Sequence, residues 1–499
     1  MSIGEFPSRH KLLQTYRKPA DLRETECRRR QNSRLSTIRC TGVTELGTQE
    51  EPALVKGLGG VEATTLIVGG IIGTTVFLIT SDVAEIVGSP VLVLVAWLLA
   101  GLLQGMASLC FAELAASMPQ SGGTYVFIKR AFRSDMLAFS YGWMMCFAYA
   151  AGAIAVVAIL AATYLMQVLQ AFGIVDGDYI KTGAVSIIVI LTFLNSRGIR
   201  QGGIAQNVIT AMKILLVVGL ISAALLLGSP DPARLTDLPV VAPGHSPVRD
   251  ISAALMLVLF SYSGTFFVTH VAEEIRQPER NIPRAIVIGF SIVLVLYMLL
   301  NTVYVTAMSF DDVRASERIA SDLMEMLVGP GGATLTAFII FVSSVGVLNA
   351  QLLNYPRIPF ALSRDGVFFG WASRINPRSN VPSGAIILIG TVASLYALTG
   401  SYGLILSYVA FVVHFFICLA VIAVVLMRIR EPDLPRPFKV WGYPFTPVIF
   451  LAVSAVYLFN LLSTQTANVL VGVVIVLAGI PYFLYRRREQ SADIQGDGS

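Results

Sequence analysis

Long uninterrupted apolar runs alternate with short polar segments along the chain. A helix needs about 20 apolar residues to cross the hydrocarbon core of a bilayer, and about twelve such runs can be counted. A strand barrel would show short segments of alternating polarity, whereas runs such as "AGAIAVVAILAATYLMQVLQAF" are apolar on every face. The pattern therefore predicts an all-α membrane protein. The predicted spans lie near residues 58–80, 88–113, 136–169, 180–195, 203–228, 250–273, 285–308, 334–362, 384–400, 402–427, 445–464 and 467–485.

Composition and charge support this prediction. Hydrophobic residues make up 55% of the chain and charged residues 13%, compared with roughly 25% charged residues in a soluble domain. With the N-terminus inside, 30 of the 36 Lys and Arg residues fall in inner segments, 5 in outer loops and Lys213 alone within a span. The positive-inside rule then predicts that both termini lie in the cytoplasm, which requires an even number of spans. We expect the protein in the plasma membrane.

The regions outside the spans indicate three parts. Residues 1–56 hold 11 Lys or Arg and no apolar core of a secretory signal, which predicts a disordered basic cytoplasmic tail. A transporter domain is predicted at 57–487 and a cytoplasmic tail at 488–499. The net charge of +5 is explained by basic residues beside the membrane, so no nucleic-acid partner is expected. The five cysteines and four scattered histidines show no metal-like or catalytic spacing, so we expect no metal, no cofactor and no enzyme.

The first span is interrupted by "VGGIIGTTVF". Glycine weakens a helix there, and backbone freed from helical bonds persists in a membrane only where it is buried or lines a polar cavity. The N-terminus of the resumed half-helix would offer N–H groups to a carboxylate. The alternative is a packing face formed by Gly69 and Gly73 as a GxxxG pair. The candidate carboxylate-binding residues are Ile72, Gly73, Thr74 and Thr75.

The sixth span is interrupted in the corresponding position by "FSYSGTFF". Paired interruptions in two five-helix halves indicate an inverted-repeat transporter with a site at mid-membrane. Carbonyl groups at the end of the first half-helix would accept hydrogen bonds from an ammonium group. The two interruptions together predict a site for a zwitterion. The candidates on this side are Phe260, Ser261, Tyr262, Ser263 and Gly264.

Four further segments carry a resemblance to a known family. They are "FAELAASMPQSGGTYVFIKRAF", "VAEEIRQPERNIPRAI", "RIPFALSRDGVFF" and "RPFKVWGYPFTPVIF", in this order. With the two interruptions, the chain resembles the amino acid-polyamine-organocation superfamily from about residue 57 to 485. The resemblance implies a 5+5 inverted repeat with broken first and sixth helices plus two C-terminal helices. It also implies an amino-acid permease that works by alternating access.

The resemblance assigns further roles and shows departures. Thr74 and Thr75 resemble the carboxylate site, but the family commonly has glycine at the position of Thr75, so the substrate's size or pose is affected. Phe260 to Gly264 resemble the amine and side-chain site. Because Thr265 and Phe266 follow Gly264, the aromatic gate is either Phe266 or Phe267.

Lys213 is a functional candidate because a cation deep in a membrane is costly. It matches a fifth-helix lysine that in sodium-independent relatives is thought to occupy a sodium position against the first and eighth helices. Lys213 could also gain and lose a proton during the transport cycle, and a fixed structural charge is the alternative to that role. Ser343 and Asn349 on the eighth span could line the cavity beside it or bond neighbouring helices. Ala148 before Tyr149 replaces a Glu of the proton-linked, cationic-substrate branch, which favours a neutral substrate.

Two charged or titratable features lie beyond the predicted site. Glu273 and Glu274 could pair with Arg276, Arg280 or Arg284 as an inner gate. His270 is either a proton relay or an interhelical hydrogen-bond donor.

The sequence thus predicts sodium-independent exchange or proton symport of neutral amino acids. Polyamine or cationic amino-acid uptake is the alternative, and a non-transporting amino-acid sensor is the alternative of another class. The expected partners are a small-molecule substrate and the lipid bilayer, and a homo-oligomer is compatible with the sequence. Residues 170–181 lack the cysteine that light subunits of heteromeric transporters use, so no disulfide-linked heavy chain is expected.

Overall fold

The computed structural model describes residues 57–73, 75–120, 122–197, 202–236, 247–377, 381–399 and 402–496. The predicted N-terminal tail and Thr74 lie outside these ranges. Within them the fold is all-α, and the only β-type pairing is a single bridge between Leu58 and Ile275. The helices are α1 (Gly60–Ile71), α2 (Ile79–Val87), α3 (Pro90–Ser117), α4 (Thr124–Phe132), α5 (Asp135–Ala171), α6 (Ile180–Ser196), α7 (Gly202–Leu227), α8 (Pro247–Ser261), α9 (Phe267–His270), α10 (Pro278–Ala307), α11 (Phe310–Ala315), α12 (Ile319–Val328), α13 (Pro330–Asn354), α14 (Arg357–Arg364), α15 (Ser383–Thr399), α16 (Tyr402–Arg430), α17 (Phe445–Thr464), α18 (Thr466–Leu477) and α19 (Gly479–Gly496).

The helices agree with the apolar runs of the sequence. Eight helices in the described part of the chain are long and apolar enough to cross a membrane, and three shorter apolar helices accompany them. The chain is therefore a multi-pass membrane protein, while twelve crossings remain a prediction. Helix α19 continues to Gly496, past residue 488, where the predicted C-terminal tail begins.

Large apolar side chains lie both in the interior of the helix bundle and on its outer surface. Helix α5 packs against α6, α13 and α15, and α10 packs against α1 and α3. Side chains such as Leu102 on α3 and Leu299 on α10 are about half exposed on the outer surface. Exposure of this kind would be costly in water, but it suits contact with lipid chains.

One long helix contains an irregular turn. Residues Met145–Tyr149 of α5 form a π-helical turn between two α-helical segments. Such turns shift the register of the side chains that follow and are frequent at functional sites. This turn carries Tyr149, which from the sequence is a candidate gate or cavity residue together with Phe266, Ser343 and Asn349.

The four segments that carried the family resemblance meet at one end of the bundle, called here the predicted inner face. Glu113 of α3 is buried and accepts hydrogen bonds from both the Arg428 guanidinium, at 2.5 and 2.8 Å, and the Val440 amide, at 2.7 Å. A buried carboxylate requires such partners. This arrangement ties α3 to the end of α16 and to the segment before α17.

A second contact joins α4 to the end of α14. The Tyr125 hydroxyl donates to Asp365 at 2.6 Å, and Lys129 Nζ lies 2.5 Å from the same carboxylate oxygen. Burial, and then the hydrogen bond to Asp365, raise the pKa of the Tyr125 phenol above its usual range. These contacts therefore connect motifs that are far apart in the sequence.

Candidate substrate site

The first predicted interruption is present. Helix α1 ends at Ile71, Ile72 is extended with φ −67° and ψ 91°, and a 3-10 turn at Thr75–Phe77 precedes α2. Thr75 is buried at 4% exposure. Of the predicted carboxylate-binding residues, Ile72, Gly73 and Thr75 thus lie at the break, and Thr74 is outside the described residues.

Gly73, one member of the predicted GxxxG pair, does not lie at a close packing contact. A Cβ added to Gly73 would meet only ordinary contacts, Ile71 O at 3.7 Å and Val347 Cγ2 at 3.8 Å. A Cβ added to Gly70 would lie 2.7 Å from the Phe267 ring. Close packing therefore requires glycine at position 70 rather than at 73.

The second interruption is also present, and it touches the first. Helix α8 ends at Ser261, a turn covers Tyr262 to Phe266, and α9 begins at Phe267. A Cβ added to Gly264 would lie 2.9 Å from both the carbonyl carbon and the carbonyl oxygen of Gly70. The two breaks are in backbone contact at Gly264 and Gly70, as a shared binding site requires.

Lys213 of α7 is fully buried, and its Nζ donates a 2.6 Å hydrogen bond to the Gly69 carbonyl oxygen. Thr210 Oγ1 donates to the Thr65 carbonyl at 3.3 Å one turn earlier. The ammonium therefore lies against the last turn of α1, beside the break. This is the contact with the first helix that the family resemblance implied.

The two polar candidates on α13 differ in their surroundings. The Asn349 side chain accepts a 2.9 Å hydrogen bond from Asn195 of α6, which supports the helix–helix alternative. Ser343 Oγ is buried and has no hydrogen-bond partner in the described part of the chain. Its role stays a prediction.

Aromatic rings surround the turn of the second break. The Phe266 ring lies 6.0 Å from Tyr149, 5.7 Å from Phe267 and 5.7 Å from His270, and Tyr355 lies 5.9 Å from Tyr149 and 5.2 Å from Phe267. Both gate candidates thus belong to one cluster. Neither ring nitrogen of the buried His270 has a partner among the described residues, so the expected interhelical hydrogen bond is not observed there.

The two broken helices are also joined at the predicted inner face. The amides of Gly57 and Leu58 donate to the Glu274 carbonyl at 3.1 and 3.0 Å, and the Arg276 amide donates to Leu58 O at 2.8 Å. These bonds form the Leu58–Ile275 bridge. The segments before α1 and after α9 are therefore joined by three backbone hydrogen bonds.

The acidic pair after α9 has partners other than those predicted. Glu274 forms an ion pair with Arg357 at 3.1 Å, and Glu273 forms one with Arg364 at 3.2 Å. Both arginines belong to α14, not to the 276–284 segment. The contact across this face is thus between the second break and α14, which follows α13 in the chain.

A cavity of about 40 Å³ adjoins the second break, between α3, α5, α8, α16 and α17. Gln104 Nε2 donates to Thr265 Oγ1 at 3.1 Å beside it, and His414 Nε2 lies 2.9 Å from Ser454 Oγ. None of the residues described as lining it is acidic, lysine or arginine. The lining residues are Gln104, Tyr149, Met256, Leu259, Phe260, Ser263, Val409, Ala410, Val413, His414, Ile417 and Tyr457.

One residue that the sequence reasoning missed lies between the breaks. The Tyr297 hydroxyl of α10 donates a 2.8 Å hydrogen bond to Ile71 O and lies 3.5 Å from Ser261 O. Its only signal was a phenol in the otherwise apolar run "SIVLVLYMLL". That pattern is equally typical of simple packing.

Comparisons with known proteins identify the family of the chain. Residues 58–481 match the amino acid permease family. The chain is 28% identical to the b(0,+)-type amino acid transporter 1 of Mus musculus, over 93% of each chain. It is 29% identical to the large neutral amino acids transporter small subunit 2 of Oryctolagus cuniculus, over 87% of this chain and 81% of the relative. It is 28% identical to the Asc-type amino acid transporter 1 of Homo sapiens, over 88% and 83%. The family match covers most of the chain, and this protein belongs to the amino acid permease family.

Proposed function

We propose that this amino acid permease carries neutral amino acids, without sodium, at a site between the two breaks. The observation that carries the proposal is the close approach of Gly264, in the turn after α8, to Gly70, in the last turn of α1, which brings the two breaks side by side. The amides of Ile72 to Thr75 would bind the carboxylate. The carbonyls of Phe260 to Gly264 would bind the ammonium group.

The neutral substrate is supported by the cavity beside the second break. An ionised side chain entering it would lose its hydration without meeting a fixed opposite charge in the described lining, which costs several kcal/mol. The name of one relative specifies large neutral amino acids. Uptake of polyamines or cationic amino acids is the less favoured alternative.

Sodium independence is supported by Lys213. Its ammonium already supplies a positive charge at the Gly69 carbonyl, where a monovalent cation would otherwise be needed. Exchange and proton symport remain the two candidate modes of alternating access. Twelve crossings, a 5+5 inverted repeat, a plasma-membrane location and cytoplasmic termini belong to the same proposal.

The proposal includes no disulfide-linked heavy chain at residues 170–181. The name of one relative calls that protein a small subunit, but this segment contains no cysteine. The described cysteines Cys110, Cys146 and Cys418 are all buried. Migration of the cell-surface protein on reducing and non-reducing gels would test this part.

Counterflow in liposomes tests the function. Purified protein is reconstituted, loaded with unlabelled L-leucine, L-alanine, L-phenylalanine or L-lysine, and exposed to the labelled amino acid in sodium or choline chloride. We expect saturable uptake of the neutral amino acids that is equal in the two salts. Saturable binding without exchange would instead favour an amino-acid sensor, and preferred lysine uptake would contradict the neutral assignment.

A further inference from the structure

A second cavity, of about 190 Å³, lies between α1, α7, α13 and the start of α14. It exceeds the roughly 30 Å³ that one water molecule occupies, so it has room for a small organic molecule. Glu62 and Leu66, which are one turn apart on α1, line it. Leu58 and Glu274, whose backbones are hydrogen-bonded at the predicted inner face, line it as well. The cavity therefore lies on the inner side of the two breaks.

Asn354, the last residue of α13, offers a buried acceptor in this cavity. It is 1% exposed, and its Nδ2 donates a 2.7 Å hydrogen bond to the Ala350 carbonyl. Because that carbonyl can only accept, the bond fixes which end of the amide is the oxygen. Asn354 Oδ1 is buried and has no hydrogen-bond partner in the described part of the chain. Buried acceptors normally have a donor, so this oxygen points to a ligand with N–H groups.

Glu62 supplies a negative charge to the same cavity. Its Oε2 accepts a 2.9 Å hydrogen bond from the Gly59 amide at the start of α1. The charged residues of the described lining are Glu62, Glu274 and Arg357, and Glu274 is already paired with Arg357 at 3.1 Å. One negative charge is therefore left over, and it suits the positive end of a ligand.

Arg357 can bind the other end of such a ligand. Its Nε donates to Glu274, and its Nη1 donates to the Leu353 carbonyl. A guanidinium has five N–H groups, so donors remain for a second carboxylate. A bare metal cation or a polyamine would be repelled by this guanidinium, whereas a zwitterion can use both charges of the lining.

We infer that this cavity is a second binding site for the transported amino acid, at the predicted inner face. The ammonium group of the amino acid binds Glu62 and Asn354 Oδ1, and its carboxylate binds Arg357. The inference rests on the proposed function for the identity of the ligand. An amino acid on the inner side is then bound here before it reaches the site between the breaks.

Asn354→Leu tests the inference because it keeps the approximate size of the side chain and removes the acceptor. In intact cells all copies of the protein have the same orientation, so the two sides can be measured separately. Efflux of injected labelled L-alanine gives the half-saturation concentration on the inner side, and uptake gives that on the outer side. We expect the inner value to rise about tenfold, as the loss of a hydrogen bond to a charged group implies, and the outer value to stay unchanged.

Glu62→Gln separates the charge from the helix cap. Glutamine can also accept from the Gly59 amide, since it serves at this position of a capping box, but it carries no charge. We expect the same rise on the inner side alone. Gln167→Met on α5 is the matched control, because Gln167 Oε1 is also buried without a described partner but Gln167 is not part of the described lining. It should match the wild type on both sides.

Equilibrium dialysis of the purified protein against labelled L-alanine tests the site without transport. We expect two bound molecules per chain in the wild type and in Gln167→Met, and one in Asn354→Leu. An equal inner half-saturation concentration in Asn354→Leu and the wild type, or an equal number of bound molecules, would contradict the inference; a cavity that holds only water would give this result. A wild type that binds two molecules but does not transport would contradict the proposed function and support the second site.

Discussion

The Lys213 ammonium donates to the Gly69 carbonyl at 2.6 Å, in the last turn of a helix that stops two residues later. The contact places a buried positive charge at the end of α1, where the backbone carbonyls no longer have helical hydrogen-bond partners. A buried charge with only a neutral partner is costly, so it marks a position where the charge is needed.

Removal of this charge should impair transport. Lys213→Met keeps the length and most of the volume of the side chain but leaves Gly69 O without its charged donor, a loss of about 1.5–3 kcal/mol. We expect initial uptake rates in liposomes to fall at least tenfold. Lys181→Met, at an exposed position near the start of α6, is the control and should transport normally. Wild-type kinetics in Lys213→Met would contradict the assigned role.

Contact between the two breaks should tolerate no side chain at Gly264. The Cβ of Gly264→Ala would lie 2.9 Å from backbone atoms of Gly70, which cannot rotate away. We therefore expect loss of uptake and a lower melting temperature. Gly219→Ala on α7 is matched, because its Cβ would meet nothing within 4 Å, and it should retain both properties. Equal behaviour of the two variants would show that the breaks are not in tight contact.

The Thr75 side chain should restrict substrate size. Thr75 is buried at the start of the 3-10 turn that follows the first break. Thr75→Gly should admit larger neutral amino acids, at a stability cost of about 0.5–1 kcal/mol from added backbone freedom. Competition of labelled L-alanine uptake by neutral amino acids of increasing volume measures this. Thr75→Ser removes only the methyl group, and an unchanged ranking in both variants would exclude crowding by Thr75.

The Glu274–Arg357 pair should contribute more to stability than an exposed pair. Its side chains are 18% and 6% exposed, whereas those of Lys129 and Asp365 are 39% and 32% exposed. Glu274→Ala leaves the Arg357 charge buried without its partner, which costs up to about 3 kcal/mol, whereas Lys129→Ala should cost about 1 kcal/mol or less. Thermal unfolding in detergent compares them. A larger loss in Lys129→Ala would contradict this order.

The sequence was sufficient to predict the all-α membrane fold and the positions of the two breaks. Spans are apolar because lipid requires it, and polar or glycine-rich interruptions such as those at Gly73 and Gly264 are visible against that background. The family segments could likewise be recognised. These features are formed by residues that are neighbours in the sequence, so the sequence alone is enough to predict them.

Contacts between distant segments could not be predicted in the same way. Arg357 is 83 positions from Glu274, and Arg364 is 91 positions from Glu273. The arginines of the 276–284 segment carry the same charge and are much closer in the sequence. Gly70 and Gly73 look alike in the sequence, and only the position of the Phe267 ring shows that close packing requires glycine at position 70 rather than at 73. Tyr297 has no local signal because its partners are backbone carbonyls.

The Leu58–Ile275 bridge constrains how an opening at the predicted inner face can proceed. Three backbone hydrogen bonds join the segment before α1 to the segment after α9, and backbone hydrogen bonds do not depend on which side chains are present. The side-chain pair Glu274–Arg357, in contrast, connects this unit to α14. We expect these two segments to move together as one unit. The breaks would act as the hinge, and the contact with α14 would open.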